Sequence, residues 1–146
     1  GYRCGLDFVS GNNFSILKRG VNRDVIDLWI SDGQGGFRQE TDRLQDGQFH
    51  ALIAGQNYAA ILYGQNKDIL RIYGIRSNGS VIEKARLIND GKDHTIHKLS
   101  NTDFGITYGN NNDIRLRFCF TGSKWQTGYL GIGQPYAGSC NTDLTW

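Results

Sequence analysis

The sequence has no methionine and one proline, Pro135, in 146 residues. Disordered and low-complexity segments are usually rich in proline, so this scarcity argues for an ordered chain. No stretch reaches the roughly 18 to 20 apolar residues that cross a membrane as a helix. The uncharged run of residues 51–66 is interrupted by Gly55, Gln56 and Asn57, and no membrane partner is expected. Charge of one sign is also scarce: 16 Lys and Arg stand against 14 Asp and Glu, for a net +2. Without a polybasic block, tight binding to duplex DNA through its phosphates is excluded, while local contact with RNA stays open.

Cysteine is limited to Cys4, Cys119 and Cys140, none in a CxxC pair, and His50, His94 and His97 lie elsewhere. That spacing fits no zinc pattern, and no metal or cofactor is expected. A terminal disulfide in a secreted chain suits these cysteines better, although three thiols always leave one over. Gly1 before Tyr2, without methionine or apolar leader, leads to the expectation of a processed form with a one-residue scar and a removed secretion signal. Two N-x-S acceptor sequences, at Asn13 and Asn78, are compatible with that.

Glycine is plentiful: the 20 present are about double the usual share of roughly 7%, and they imply many turns. With 38% hydrophobic residues the chain can bury one core, and a single domain over residues 1–146 is expected.

One stretch has a helical pattern. In NNFSILKRGVNRDVIDLWISDGQGG, Leu17, Val21, Val25 and Leu28 or Trp29 recur at steps of three and four. Asn12 or Asn13 can cap its start, and Gly33, Gly35 and Gly36 stop it. Beyond residue 48, short alternating or β-branched runs separated by Gly, Asn and Asp read as strands. In IRLRFCF, for example, Ile114, Leu116, Phe118 and Phe120 point one way and Arg115, Arg117 and Cys119 the other. The expected fold class is therefore α+β, one N-terminal α-helix packed on a twisted antiparallel sheet.

The chain also resembles itself. ILYGQNKDI at 61–69 matches ITYGNNNDI at 106–114 in six of nine positions. A blade repeat of about 45 residues, as in β-propellers, would produce this; so would two hairpins sharing the same turn residues. The helical pattern of residues 13–30 breaks the expected third repeat and favours the hairpins.

YRCG at residues 2–5, a helix, FHALI, LRIYGIRSNGSV and a late strand ending in cysteine follow, in that order, the layout of the fungal guanyl-specific ribonucleases. Tyr2-Arg3-Cys4, with a partner cysteine near the other end, resembles more closely the ribonuclease-like secreted effectors of powdery mildew fungi. The resemblance implies a microbial ribonuclease-like fold with a terminal disulfide from Cys4 to Cys140, Cys119 being the alternative partner. It also implies a protein that is usually inactive. His50 stands at the first catalytic histidine, but the hairpin glutamate falls at Ile72, which cannot move a proton. In one register His94 replaces the arginine and Tyr108 or Gly109 the second histidine. In the other Arg115 supplies the cation, while LGIG at 130–133 offers no acid. Each positioned acid or base is worth about 10² to 10⁴ in rate, so no catalytic residue is assigned and His50 is a residual position.

What the resemblance then implies is a secreted virulence effector, a pseudoenzyme acting as a monomer in the host cell cytoplasm or extracellular space. Its partners would be a host plant protein, an immune receptor included, or RNA. Arg71, Tyr73, Arg115 and Arg117 are the candidates for that contact, because arginine and aromatic side chains serve both protein interfaces and unpaired bases. Two alternatives differ in class. An active ribonuclease toxin would add Glu83 and His94 or His97 to His50. A sugar-binding β-propeller is the other: AAILYGQNKDILRIY, SNGSVIEK and KWQTGY resemble fucose-lectin blades, in which an Arg, a Glu and a Trp hold the sugar. Arg71, Glu83 and Trp125 would match, against which stand the helical segment, the missing third repeat and the cysteines.

Overall fold

A computed structural model of the chain describes residues 7–21, 23–44, 51–64, 66–88, 93–108, 114–129 and 137–146. Among them are thirteen strands and no helix. The first sheet is the antiparallel meander β1 (Asp7–Ser10), β2 (Phe14–Arg19), β3 (Val25–Ser31) and β4 (Phe37–Arg43). The second repeats it with β5 (Ala51–Ala54), β6 (Tyr58–Tyr63), β7 (Ile69–Ile75) and β8 (Val81–Leu87). The third consists of β9 (His94–Lys98), β10 (Asp103–Tyr108), β11 (Leu116–Phe120) and β12 (Trp125–Tyr129), with β13 (Thr142–Asp143) added outside β12.

The α+β expectation is therefore overturned. Residues 14–31, expected as the helix, form the β2–β3 hairpin, in which Phe14 pairs with Ile30 and Arg19 with Val25. Gly20 at φ +97° and Arg23 at φ +54° make its turn, a left-handed geometry that glycine adopts at little cost. Phe14 and Ile16 on β2, with Ile26, Leu28 and Ile30 on β3, point to one core by the two-residue alternation of strands. Two buried charges hide that alternation in the sequence. Lys18 is 0% exposed on the core side and pairs across the strands with Asp7 at 3.2 Å. Asp27, buried on the other side, accepts from Arg19 Nε at 2.5 Å and from the Thr41 hydroxyl at 2.8 Å.

The third repeat, absent from the sequence reading, is this first sheet. β2, β6 and β10 begin at Phe14, Tyr58 and Asp103, a spacing of 44 and then 45 residues. The sheets stack face to face with their first strands together, β1 beside β5 and β5 beside β9. That is the layout of successive propeller blades.

One core layer lies between the first and second sheets and includes Phe14, Ile16, Leu28, Ile61, Tyr73 and Ile75. The other lies between the second and third and includes Leu70, Ile72, Phe104, Phe118, Phe120 and Trp125. Each fully buried side chain of this size is worth about 1.5 to 3 kcal/mol. Rings dominate the second layer: Phe104 stacks on Phe118 with centroids 5.1 Å apart, and Trp125 and Tyr58 meet edge to face with centroids 5.9 Å apart.

The expected Cys4–Cys140 disulfide is also corrected. Cys140 is bonded to Cys119, its alternative, so neither is Cys4's partner, and Cys4 lies outside the described residues. The bond joins β11 to the segment leading into β13, and closing this short loop is worth about 3 kcal/mol in the chain-entropy model.

Two outcomes follow from the packing. A Cβ at Gly74 would stand 2.2 Å from Phe120 Cε2 in the second layer, so Gly74→Ala should destabilise by about 1 to 3 kcal/mol in urea unfolding. An unchanged midpoint would contradict the stacking of the second and third sheets. In the oxidised protein, peptide mapping should recover Cys119 linked to Cys140; a Cys4-containing link to either would contradict the pairing.

The cleft between the first and second sheets

Alternation along β7 and β8 turns Arg71, Tyr73 and Glu83 toward the first sheet, and Tyr73 stands directly across from Glu83. Facing them are Ile26 and Leu28 of β3 and Glu40, Thr41 and Asp42 of β4. Tyr73 and Glu83 line with these a cleft of about 160 Å³, and Arg71 lies beside it, paired to Asp42 and Glu83 of its lining. Arg71 bridges both walls: Nη1 is 2.6 Å from Asp42 Oδ2 and 3.7 Å from Glu83 Oε1. Its Nε is buried, and the guanidinium also donates to the Tyr73 hydroxyl.

Although its side chain is about 45% exposed, partial burial pushes the Glu83 carboxyl above its ordinary pKa against the pull of Arg71, and Asp42 and Glu40 push the same way. Burial also works against the Arg71 charge, but the Tyr73 hydroxyl and Asp42 outweigh it and hold its pKa above the usual value. Tyr73 is pushed up by burial and keeps its proton. At neutral pH the cleft thus offers a fixed guanidinium, a carboxylate that holds its proton more readily than most, and an apolar wall of Ile26 and Leu28. Such a set donates to and accepts from neighbouring hydroxyl groups and covers a C–H surface.

Of the residues expected at a contact surface, Arg71 and Tyr73 meet at this cleft. Arg117 lies on the far face of the third sheet, 3.1 Å from Asp103, and Arg115 sits 6.0 Å over the Tyr108 ring. The four do not form one surface. The ribonuclease alternative is not assembled either. Glu83 faces the first sheet, and buried His94 faces the opposite core layer with Nδ1 3.0 Å from the main-chain oxygen of Lys67. His97 is on the far face of the third sheet beside Thr107 Oγ1, and His50 lies outside the described residues. Trp125, the third residue of the lectin alternative, is buried in the second core layer, on the other side of the second sheet from Arg71 and Glu83.

Sequence reasoning missed the wall from the first sheet: Ile26, Leu28, Glu40 and Asp42. Applying the 44-residue spacing to β7 and β8 would have found them. No group of three or more His, Cys, Asp or Glu among the described residues could hold a metal ion. The chain matches no family model, no curated protein and no solved structure.

Because folding raises the Glu83 pKa, the folded state holds that proton more tightly than the unfolded one, and stability falls as pH rises through the raised value. Glu83→Gln removes this loss. The stability of the variant relative to the parent should therefore increase between about pH 4 and pH 7, read from urea midpoints of both proteins; a relative decrease over that range would show that Arg71 governs Glu83 instead.

Proposed function

We propose that this chain binds carbohydrate, and that the cleft between its first two sheets holds a sugar of the fucose type through Arg71 and Glu83. The observation that carries this reading is the Arg71–Glu83 pair at the edge of a cleft whose lining combines the carboxylates of Glu83, Asp42 and Glu40 with the apolar wall of Ile26 and Leu28. A 6-deoxy sugar presents adjacent hydroxyls that a guanidinium and a carboxylate can share, with a methyl group suited to Ile26 and Leu28. The resemblance of residues 59–84 to fucose-lectin blades supports the same assignment. Two objections to it, a helix over residues 13–30 and a missing third repeat, are removed by the β2–β3 hairpin and the first sheet.

This chain departs from the lectin pattern at Trp125, which lies outside the cleft; the apolar contact to the sugar falls to Ile26 and Leu28. The ribonuclease-like effector expectation rested on a helix-on-sheet fold, and with that fold absent, its host-protein and RNA partners have no support from the site. Secretion remains part of the proposal, because a disulfide such as Cys119–Cys140 suits an oxidising compartment.

The test is retention on immobilised fucose, followed by calorimetric titration with free fucose. Hydrogen bonds to charged groups contribute about 1.5 to 3 kcal/mol. Arg71→Ala or Glu83→Gln should therefore weaken binding by about 10- to 100-fold with the strand-type circular dichroism retained. Absence of binding by the folded parent protein, or full binding by both variants, would defeat the reading.

A further inference from the structure

The same backbone positions recur between the second and third sheets, but their chemistry is inverted. Val25 pairs with Arg43 and Ile69 with Leu87, so Asp42 and Glu40 of the first sheet correspond to Arg86 and Lys84 of the second. Across the cleft, Arg71 corresponds to Leu116 and Glu83 to Thr127, since Tyr73 pairs with Glu83 as Phe118 pairs with Thr127. An acidic wall facing a cation has become a basic wall facing an apolar surface.

We propose that this second cleft, of about 270 Å³, binds a sugar acid, a pyranose carrying a carboxylate. Its size is below the roughly 300 to 1,000 Å³ of pockets for drug-sized ligands and suits one ring. Arg86 lines the cleft, and no carboxylate side chain pairs with it among the described residues. Trp146 is fixed beside it: Lys84 Nζ donates to its main-chain oxygen at 2.6 Å, Arg86 lies 5.6 Å over its ring, and Phe118 meets it at 5.5 Å. Exposed Tyr129 lines the cleft from β12. Arg86 takes the carboxylate, as a guanidinium does in its two-pronged geometry, while Trp146 and Tyr129 cover the C–H face of the ring. The charge contrast makes the two clefts selective for different sugars, neutral in the first and acidic in the second.

This inference rests on the reading of these clefts as sugar sites, and the experiment separates the two. The protein is titrated by calorimetry with galacturonate, galactose, fucose and inorganic sulfate, with tryptophan fluorescence followed in parallel. Galacturonate should bind at least tenfold more tightly than galactose and perturb the fluorescence, and Arg86→Gln should abolish that preference while leaving fucose binding unchanged. Because Arg86 is exposed, its replacement leaves the fold intact. Galacturonate binding without fucose binding would sustain the second site and remove the first. The proposal is overturned by failure to bind galacturonate, by equal affinity for galactose, by sulfate competing as well as the sugar acid, or by a preference that survives Arg86→Gln. Loss of galacturonate binding with Arg71→Ala in place of Arg86→Gln would overturn it as well, by moving the ligand to the first cleft.

Discussion

Tyr58 to Tyr63 are buried without exception, so β6 and the sheet around it need an apolar neighbour on each face. The stacking of the three sheets meets that need, and the remaining architecture follows from it. Side chains pointing one way, Ala59, Ile61 and Tyr63, pack on the first sheet; Tyr58, Ala60 and Leu62 pack on the third. The hydroxyl of Tyr58 must then be satisfied inside the second layer. It reaches the main-chain oxygens of Asp103 at 2.9 Å and Ser100 at 3.2 Å, which ties the middle of the second sheet to the β9–β10 turn. Contact is tightest where β1, β5 and β9 lie together, and both clefts open toward the last strands, where β4 and β8 contribute their walls. The places free to vary in chemistry are thus set by the same packing that fixes the core.

The strands after residue 48 were legible as short alternating or β-branched runs bounded by Gly, Asn and Asp, most cleanly from Ile114 to Phe120. The first sheet was not, for reasons visible in its side chains. Lys18 occupies an inward position that an apolar residue would have marked, and Asp27 is a buried charge held by Arg19 and Thr41. Set against these charges, Leu17, Val21, Val25 and Leu28 fall into a spacing of three and four that belongs to different faces of a hairpin. Paired buried charges are expensive to isolate but tolerated when partnered, and here they disguise a period of two as a period near 3.6. The internal repeat carried the better signal. ILYGQNKDI and ITYGNNNDI both begin in a second strand, β6 and β10, and run toward the third, at equivalent places of two sheets, which is what a repeated meander requires.

Site legibility followed the same division. Arg71 and Glu83 could be paired from sequence because they lie on neighbouring strands of one hairpin, twelve positions apart. Trp125 was misplaced because nothing in its local sequence tells which face of which sheet it joins. Its neighbours Phe104 and Phe120 make it a core residue, and that role depends on how the third sheet stacks on the second. The cysteines show the same limit: β11 and the segment before β13 become neighbours only through the β12 meander, so Cys119 and Cys140 meet within one sheet where a bridge between chain ends was expected.

The two outer faces of the stack are chemically unlike, and the repeat explains how. On the first sheet Phe8, Leu17, Val25, Trp29 and Phe37 face outward; 44 residues later their counterparts are Leu52, Ile61, Ile69, Tyr73 and Val81, all packed into the first core layer. Phe8 and Phe37 remain about 60% exposed. On the third sheet the counterpart of Ile72 is Arg117, bound to Asp103, that of Gly74 is Cys119, locked to Cys140, and His97 bonds Thr107 beside them. Polar pairs and a disulfide thus occupy that face. The first sheet carries, on its outward face, apolar side chains at the positions that the second sheet buries, so this face departs from scattered surface hydrophobics.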